Sequence, residues 1–296
     1  MARRKSRKEA HSFMTTPEKK RKPRTATEAT VTAVRRLTPD LVRISFDSPG
    51  IKGRELPFTD HYLKLLFVPE EADYSWPYNL AEIKESLPRN LHPVTRTYTF
   101  RHVDTAAGTF EVDFVTHGDE GLAGPWAKHA KEGDVIAFLG PGGAWGPEDT
   151  YEHFVLVGDE SAAPAIARAL EELPAGATAA AYIEVADEHS HFEMPEAAGV
   201  ELTWVHRDGA THGHQLSEVV RGAGIPTQRT AWFVHGVAEM LKEMRRFLFF
   251  DNEVAKEDVS ISGYWRIGMT EDQWQASKQD FNAEIEAAEE QLAAQH

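Results

Sequence analysis

Near residue 150 the hydrophobic pattern of this chain changes period, and that change constrains the fold more than any other feature. Before it, residues 30–37, 41–48, 61–68, 96–103, 109–116 and 134–139 are short runs rich in β-branched and aromatic residues. Thr38-Pro39-Asp40, Pro49-Gly50 and similar turn compositions separate them. Residues 96–103 and 109–116 read as a hairpin across 104–108. Six such strands predict a small antiparallel barrel. Residues 69–95, rich in proline and charge, read as a surface excursion. Pro141-Gly142-Gly143 opens a linker that runs to Tyr151. Beyond it, strands at 153–157, 177–185, 200–205, 230–234 and 259–262 alternate with helices at 162–173, 215–221 and 237–250. That alternation predicts a parallel sheet with helices on its faces. The expected divisions are a basic disordered tail (1–26), an antiparallel domain (27–147), an α/β domain (148–270) and a C-terminal helix (271–296).

Composition narrows the chemistry. The chain has 296 residues and no cysteine. That excludes disulfides, a thiol nucleophile and cysteine-held iron–sulfur clusters, and it suits a reducing cytoplasm. No apolar run approaches the length of a membrane span, and no apolar stretch at the N-terminus reads as a secretory signal. The net charge is −15, but residues 1–24 carry ten Lys/Arg and two Glu. The remainder carries 22 basic and 45 acidic side chains, a net of −23. A body so acidic is not expected to bind nucleic acid.

Arg96-Thr97-Tyr98-Thr99-Phe100-Arg101 reads as a strand with Arg96, Tyr98 and Phe100 on one face and Thr97, Thr99 and Arg101 on the other. An arginine fork grips phosphate, a tyrosine ring lies against a flat heterocycle, and a threonine hydroxyl meets a ring nitrogen. The set suits a flavin dinucleotide. It equally describes an amphipathic strand with its arginines in water. Downstream, His117–Glu132 is a glycine-bearing turn entering a helix, with Pro125 at a first helical position and N–H groups aimed at phosphate. There is no Gly-x-Gly-x-x-Gly.

Arg96-x-Tyr98-Thr99-x-Arg101 resembles the flavin motif of the siderophore-interacting proteins, FAD-dependent ferric-siderophore reductases of the ferredoxin-reductase-like superfamily. Three further stretches match in order and spacing: Val115-Thr116-His117-Gly118-Asp119-Glu120-Gly121, then Leu156-Val157-Gly158-Asp159-Glu160-Ser161-Ala162-Ala163-Pro164, and Gly263-Tyr264-Trp265-Arg266-Ile267-Gly268. The resemblance spans about residues 28–270. It implies FAD in the barrel, NADPH or NADH in the α/β domain, and a ferric siderophore as substrate.

By the resemblance, Arg96 meets the flavin phosphate, Tyr98 its ring and Thr99 its reactive nitrogen, with Phe100, Arg101, Asp113 and Val115 beside them. His117, Gly118, Gly121, Ala123 and Gly124 cradle the pyrophosphate. Gly158, Asp159, Glu160, Ser161, Gly236 and Trp265 meet the nicotinamide nucleotide, Ser161 doubling as a helix N-cap. Arg207 would select NADPH through a 2′-phosphate, whereas Glu184 or Asp187 would select NADH through a ribose hydroxyl. Lys64, Lys52, Arg54 and Arg266 are the cations expected along the substrate's approach. The chain departs from the family pattern at Leu122, Gly124 and Pro125, where proline, serine and arginine are usual, and at Val237, where a glutamate is usual. Two other readings remain open: as an enzyme, a general NAD(P)H:flavin or ferric-chelate reductase, and, in a different class, an FAD-binding electron carrier or redox sensor that does not use a pyridine nucleotide directly and is served by a protein electron donor. A non-catalytic ferric-siderophore binder is a third.

His189-x-His191 and His212-x-His214 sit among loop residues and read as solvated histidines, so no metal site is expected. Residues 271–295 are helix-forming, with Trp274, Phe281, Ile285 and Leu292 as an apolar stripe. The stripe suits packing alone, docking across the cofactor cleft, or a second subunit.

Overall fold

The computed structural model describes residues 25–116 and 121–293. The basic tail through residue 24, and His117 and Gly118, lie outside the described residues, as does the Leu292 side chain. Seven strands form the first sheet: β1 (Thr27–Thr38), β2 (Leu41–Asp47), β3 (Tyr62–Phe67), β4 (Val94–Thr99), β5 (His102–Asp104), β6 (Thr109–Val115) and β7 (Val135–Gly142). Their order is β4-β3-β7-β1-β2-β6-β5, antiparallel throughout. β4 and β5 are consecutive in the chain yet stand at opposite edges, and the sheet curls until those edges meet. The Tyr98 ring lies 4.4 Å from that of Phe114 on β6.

The chain changes partners between two residues. Phe100 N–H donates to His61 O beside β3, and Arg101 N–H donates to Glu111 O on β6. The expected hairpin over 96–116 therefore forms only between β5 and β6, while β4 pairs with β3. Phe100 turns into the barrel, 5.1 Å from Phe110, which in turn stacks on Phe46 at 4.9 Å. Fully burying such a ring stabilises by about 1.5–3 kcal/mol, so the core decides where Phe100 points. The excursion at 69–95 carries a short helix, α1 (Leu80–Ser86), capped by the Asn79 side chain. A second, α2 (Ala123–His129), starts two residues before Pro125. β7 takes in Gly142, opposite Tyr62, so the linker begins later than its composition suggests.

The second sheet holds β8 (His153–Asp159), β9 (Thr178–Val185), β10 (Val200–His206), β11 (Thr230–Val237) and β12 (Val259–Trp265). Its order is β10-β9-β8-β11-β12, all parallel. On one face packs α3 (Ala163–Glu171). On the other pack α4 (His214–Ala223), α5 (Leu241–Arg246) and α6 (Glu271–Ala293). With both faces covered, β8 and β11 are apolar and buried along nearly their whole length. The helix expected over 237–250 starts late because β11 runs on through Val237, whose N–H is held by the Asp159 carboxylate. It then breaks into a 3₁₀ turn, α5 and a π turn over Phe247–Asp251. Among the described residues no helix is long and apolar enough to cross a membrane.

The two sheets are clasped behind the barrel. Arg101 reaches Glu171 of α3 with two bonds, 2.9 and 3.1 Å, and His102 stands 3.6 Å from the same carboxylate. Burial works against the Glu171 charge, but the bonds from His102 and Arg101 prevail and hold its pKa down at about 2. The clasp therefore stabilises fully above the ordinary glutamate range and is lost as pH falls through about 2. Glu171→Gln is expected to cost about 1 kcal/mol at pH 7, the carboxylate being partly exposed. Urea midpoints of parent and variant should converge between pH 4.5 and 2.

Candidate active site

The barrel and the parallel sheet meet at a cleft of about 630 Å³. From the barrel, Lys64 on β3, Tyr98 and Thr99 on β4, and Asp113 and Val115 on β6 face it. Opposite them stand the carboxyl ends of β8, β11 and β12, the edge where open parallel sheets bind ligands. The first turns of α6 form a further wall with Glu271, Trp274, Gln275 and Lys278. Five tyrosine and tryptophan side chains line the space: Tyr62, Trp265, Trp274 and, more deeply buried, Tyr98 and Tyr264. Burial raises the pKa of the last two, so Tyr98 and Tyr264 stay protonated.

Asp159 organises the sheet side. Its carboxylate is almost fully buried at the end of β8. Oδ2 accepts Val237 N–H at 2.8 Å and the Trp265 indole N–H at 2.8 Å. Oδ1 accepts the Ser161 N–H at 2.9 Å and also its hydroxyl. Ser161 is thus bound to Asp159 rather than capping α3, whose preceding residue is Ala162. Gly236, at φ +136°, leaves room for that carboxylate, since a Cβ there would stand 2.8 Å from Asp159 Cγ. Gly158 permits α3 to press close, since its Cβ would meet Ala162 at 2.5 Å.

Of the residues singled out in the sequence, Tyr98, Thr99, Asp113, Val115, Asp159, Glu160, Ser161, Arg207, Trp265, Lys64 and Arg266 share this cleft. Several are already engaged. Asp113 binds Arg43 through two bonds, 2.6 and 2.8 Å, inside the barrel wall. Arg207 gives two bonds to Glu160, 2.8 and 3.0 Å. Burial raises the Glu160 pKa despite Arg207. Glu184 is fully buried, accepting the Gly213 N–H, and Asp187 holds a local turn at His189. The side chains proposed to choose between NADPH and NADH thus bind their own protein.

The others lie elsewhere. Phe100 is core and Arg101 belongs to the rear clasp. Arg96 is turned to Asp272 of α6 at 3.0 Å, while Glu271 accepts the Thr97 N–H at 2.9 Å. Arg54 reaches Gly140 O and Gly50 O, and Lys52 packs by Gly108, both away from the cleft. Gly121, Ala123 and Gly124 sit at the start of α2, with Gly124 close against Val115 O. His191 pairs with His206 and stacks on Trp204 instead of joining His189, and His212 stands against Trp265 in the cleft. Among the described residues no three His, Asp or Glu gather as metal ligands would.

Comparison with known proteins decides the family. Residues 30–145 match the siderophore-interacting FAD-binding domain and residues 151–268 match the siderophore-interacting protein model. The chain belongs to the siderophore-interacting protein family. An uncharacterised protein of Mycobacterium tuberculosis is 39% identical to this family member over 274 residues, covering 87% of this chain and 95% of the relative. The ferric vibriobactin reductase ViuB of Vibrio cholerae is 25% identical over 235 residues, 79% and 86% of the two chains. A siderophore utilization protein from T. fusca superposes with a TM-score of 0.72 at 34% identity, over 84% and 95% of the chains. Solved ferredoxin reductases share the fold.

This family member has a cleft whose residues suit a flavin. Its aromatic walls are flat, and two buried polar atoms on them, Trp274 Nε1 and His235 Nδ1, have no hydrogen-bond partner among the described residues. A heterocycle with ring nitrogens and carbonyls would satisfy such atoms. Val237, where the family usually has glutamate, is wholly buried in the core beside α4 and α5. Sequence reasoning named neither Lys278 nor His235 as a site residue, and left docking across the cleft as one of three alternatives for the stripe that carries Trp274. The apolar stripe of α6 marked Trp274, and Lys278 follows it by one helical turn.

Proposed function

We propose that this protein is an FAD-containing, NAD(P)H-dependent reductase of ferric siderophores, with residues 27–147 carrying the flavin and 148–270 the nucleotide. One observation supports the reading above the others: Tyr98 and Thr99 face the carboxyl ends of β8, β11 and β12 across a single cleft. Bound FAD would supply the conversion of a two-electron hydride donor into single electrons for iron. The residues act by position. Tyr98, held against Phe114, offers a flat protonated ring. The Thr99 hydroxyl is placed beside it. Trp265 is fixed through its indole N–H by Asp159. Trp274, Tyr264 and Met269 line the same space with apolar surface. No side-chain acid or base is required for electron transfer to Fe³⁺.

The test is anaerobic absorbance of the flavin-loaded protein. NADPH or NADH is expected to bleach the flavin bands. A ferric siderophore should restore them, with Fe²⁺ captured by a chelator. Bound flavin that neither nucleotide bleaches would overturn nucleotide dependence and direct the search to a protein electron donor.

A further inference from the structure

The body of α6 is anchored on the α/β side. Ile285 packs in the core beside α4 and α5, and Glu289 takes two bonds from Arg245 of α5. Lys278 donates to Ser262 Oγ and Gly263 O at the end of β12. The first turn of the helix crosses to the barrel, where Glu271 and Asp272 are bound to β4, an edge strand. An edge strand presents N–H groups that no neighbouring strand takes. Here one of them, on Thr97, donates to Glu271 at 2.9 Å, and the Thr97 hydroxyl donates to the other oxygen of the same carboxylate.

The neighbouring ion pair is a loose one. Arg96 is 16% exposed and its partner Asp272 is 61% exposed, 3.0 Å away. Among the described residues the Arg96 hydrogen bonds leave from Nη1 alone, to Asp272 and to Thr95 O. A guanidinium carries five N–H donors and grips an oxyanion best with two of them in parallel. That fork, the Thr97 N–H and the Thr97 hydroxyl are a donor set that fits a phosphate as well as a carboxylate. Tyr98 registers both sides of the pairing: burial raises its pKa most, the Glu271 charge raises it further, and the Arg96 charge lowers it. Glu271 lines the cleft with Thr97, Tyr98 and Thr99, so a phosphate brought to these donors meets a like charge already seated on them.

We propose that Glu271 and Asp272 hold, with their own carboxylates, the donors that a flavin nucleotide's phosphate takes, so that cofactor entry exchanges one anion for another and α6 sets the cofactor's affinity. The proposal rests on the reading that the cleft holds a flavin; it needs neither the hydride donor nor the iron substrate. The exchange leaves α6 in place. The two carboxylates turn away from β4 while Ile285 and Glu289 keep the helix docked. Acidic side chains in a first turn also favour a helix through its dipole. That role alone predicts a less stable helix on neutralisation and no gain in flavin binding.

The test is equilibrium titration of FAD, FMN and riboflavin into the full chain freed of flavin, followed by tryptophan fluorescence. The probes share one ring system and carry two, one and no phosphate groups. Glu271→Gln combined with Asp272→Asn should tighten FAD and FMN about tenfold, as for removal of a charged competitor, and riboflavin less than about twofold. Asp272→Asn alone, at an exposed side chain that folding does not depend on, should tighten FAD about two- to fivefold. In an Arg96→Gln background that gain should vanish, because the competition runs through Arg96. Glu284→Gln, exposed on the same helix, is the charge-matched control and should change no affinity. Unchanged or weaker FAD binding by the double variant, or an equal gain for riboflavin, would overturn the exchange and leave the flavin reading standing. A gain from Asp272→Asn that survives Arg96→Gln would do the same. No flavin binding by parent and variants alike would sink the flavin reading, and the exchange with it.

Discussion

Asp159→Ala is expected to lower the unfolding free energy by about 3–5 kcal/mol. The carboxylate leaves behind the Val237 N–H, which is buried, and the Trp265 indole N–H and Ser161 N–H, which are partly buried at the sheet edge. Each orphaned donor costs about 1–3 kcal/mol. Relief of repulsion with Glu160 and Glu184, both of whose pKa values Asp159 helps to raise, returns a small part. Asn should rescue little. Each carboxylate oxygen accepts two bonds, and an amide offers one oxygen and turns two donors against donors on the other side. Urea denaturation followed by far-ultraviolet circular dichroism distinguishes the cases. An Asn variant as stable as the parent would show that hydrogen bonding at Asp159 is not what ties β8 to β11 and β12.

The second large effect lies in pH. His235 is buried between Phe233, stacked at 3.9 Å, and Tyr264, with Nε2 at 2.9 Å from Ser260 Oγ. Burial, with a smaller contribution from Lys278, pushes its pKa down to about 3, so the folded imidazole stays neutral. In the unfolded chain it takes a proton near pH 6.5. The unfolded state therefore binds more protons between those values, and stability falls as pH drops from about 6.5 towards 3. The slope approaches about 1.4 kcal/mol per pH unit for one proton. The window from pH 6.5 to 4.5 separates this residue from Glu171, whose contribution fades only at lower pH. His235→Gln should flatten the stability profile in that window. An unchanged slope in urea titrations at pH 7, 6 and 5 would assign the acid sensitivity to other groups.

How much of this was legible beforehand depends on the range of the interaction. Period and turn composition were enough for an antiparallel sheet followed by a parallel one, since both are local properties of strands and turns. Tyr98 and Asp159 could be placed at strand ends, and the fold brings such ends together. Alternation predicts a side only while the backbone stays regular, and at Phe100 the chain exchanges β3 for β6. Phe100 fills the barrel core that Tyr98 borders at Phe114, and Arg101 went to Glu171, 70 residues away. Arg207 and Glu160 are 47 residues apart, and no pattern in either segment announces their pairing. Lys52 and Arg54 show the same limit: sequence supplies a charge, while its position depends on a loop folded against Gly108 and Gly140. Helical spacing alone tied Lys278 to Trp274.

The placement of α6 has a consequence for biosynthesis. A chain is made from its N-terminus, and domains fold as they emerge. Both sheets are complete by Trp265, whereas the wall that carries Trp274 and Lys278 comes afterwards. A nascent protein thus passes through a stage in which the cleft stands open on one side, before α6 supplies its last wall.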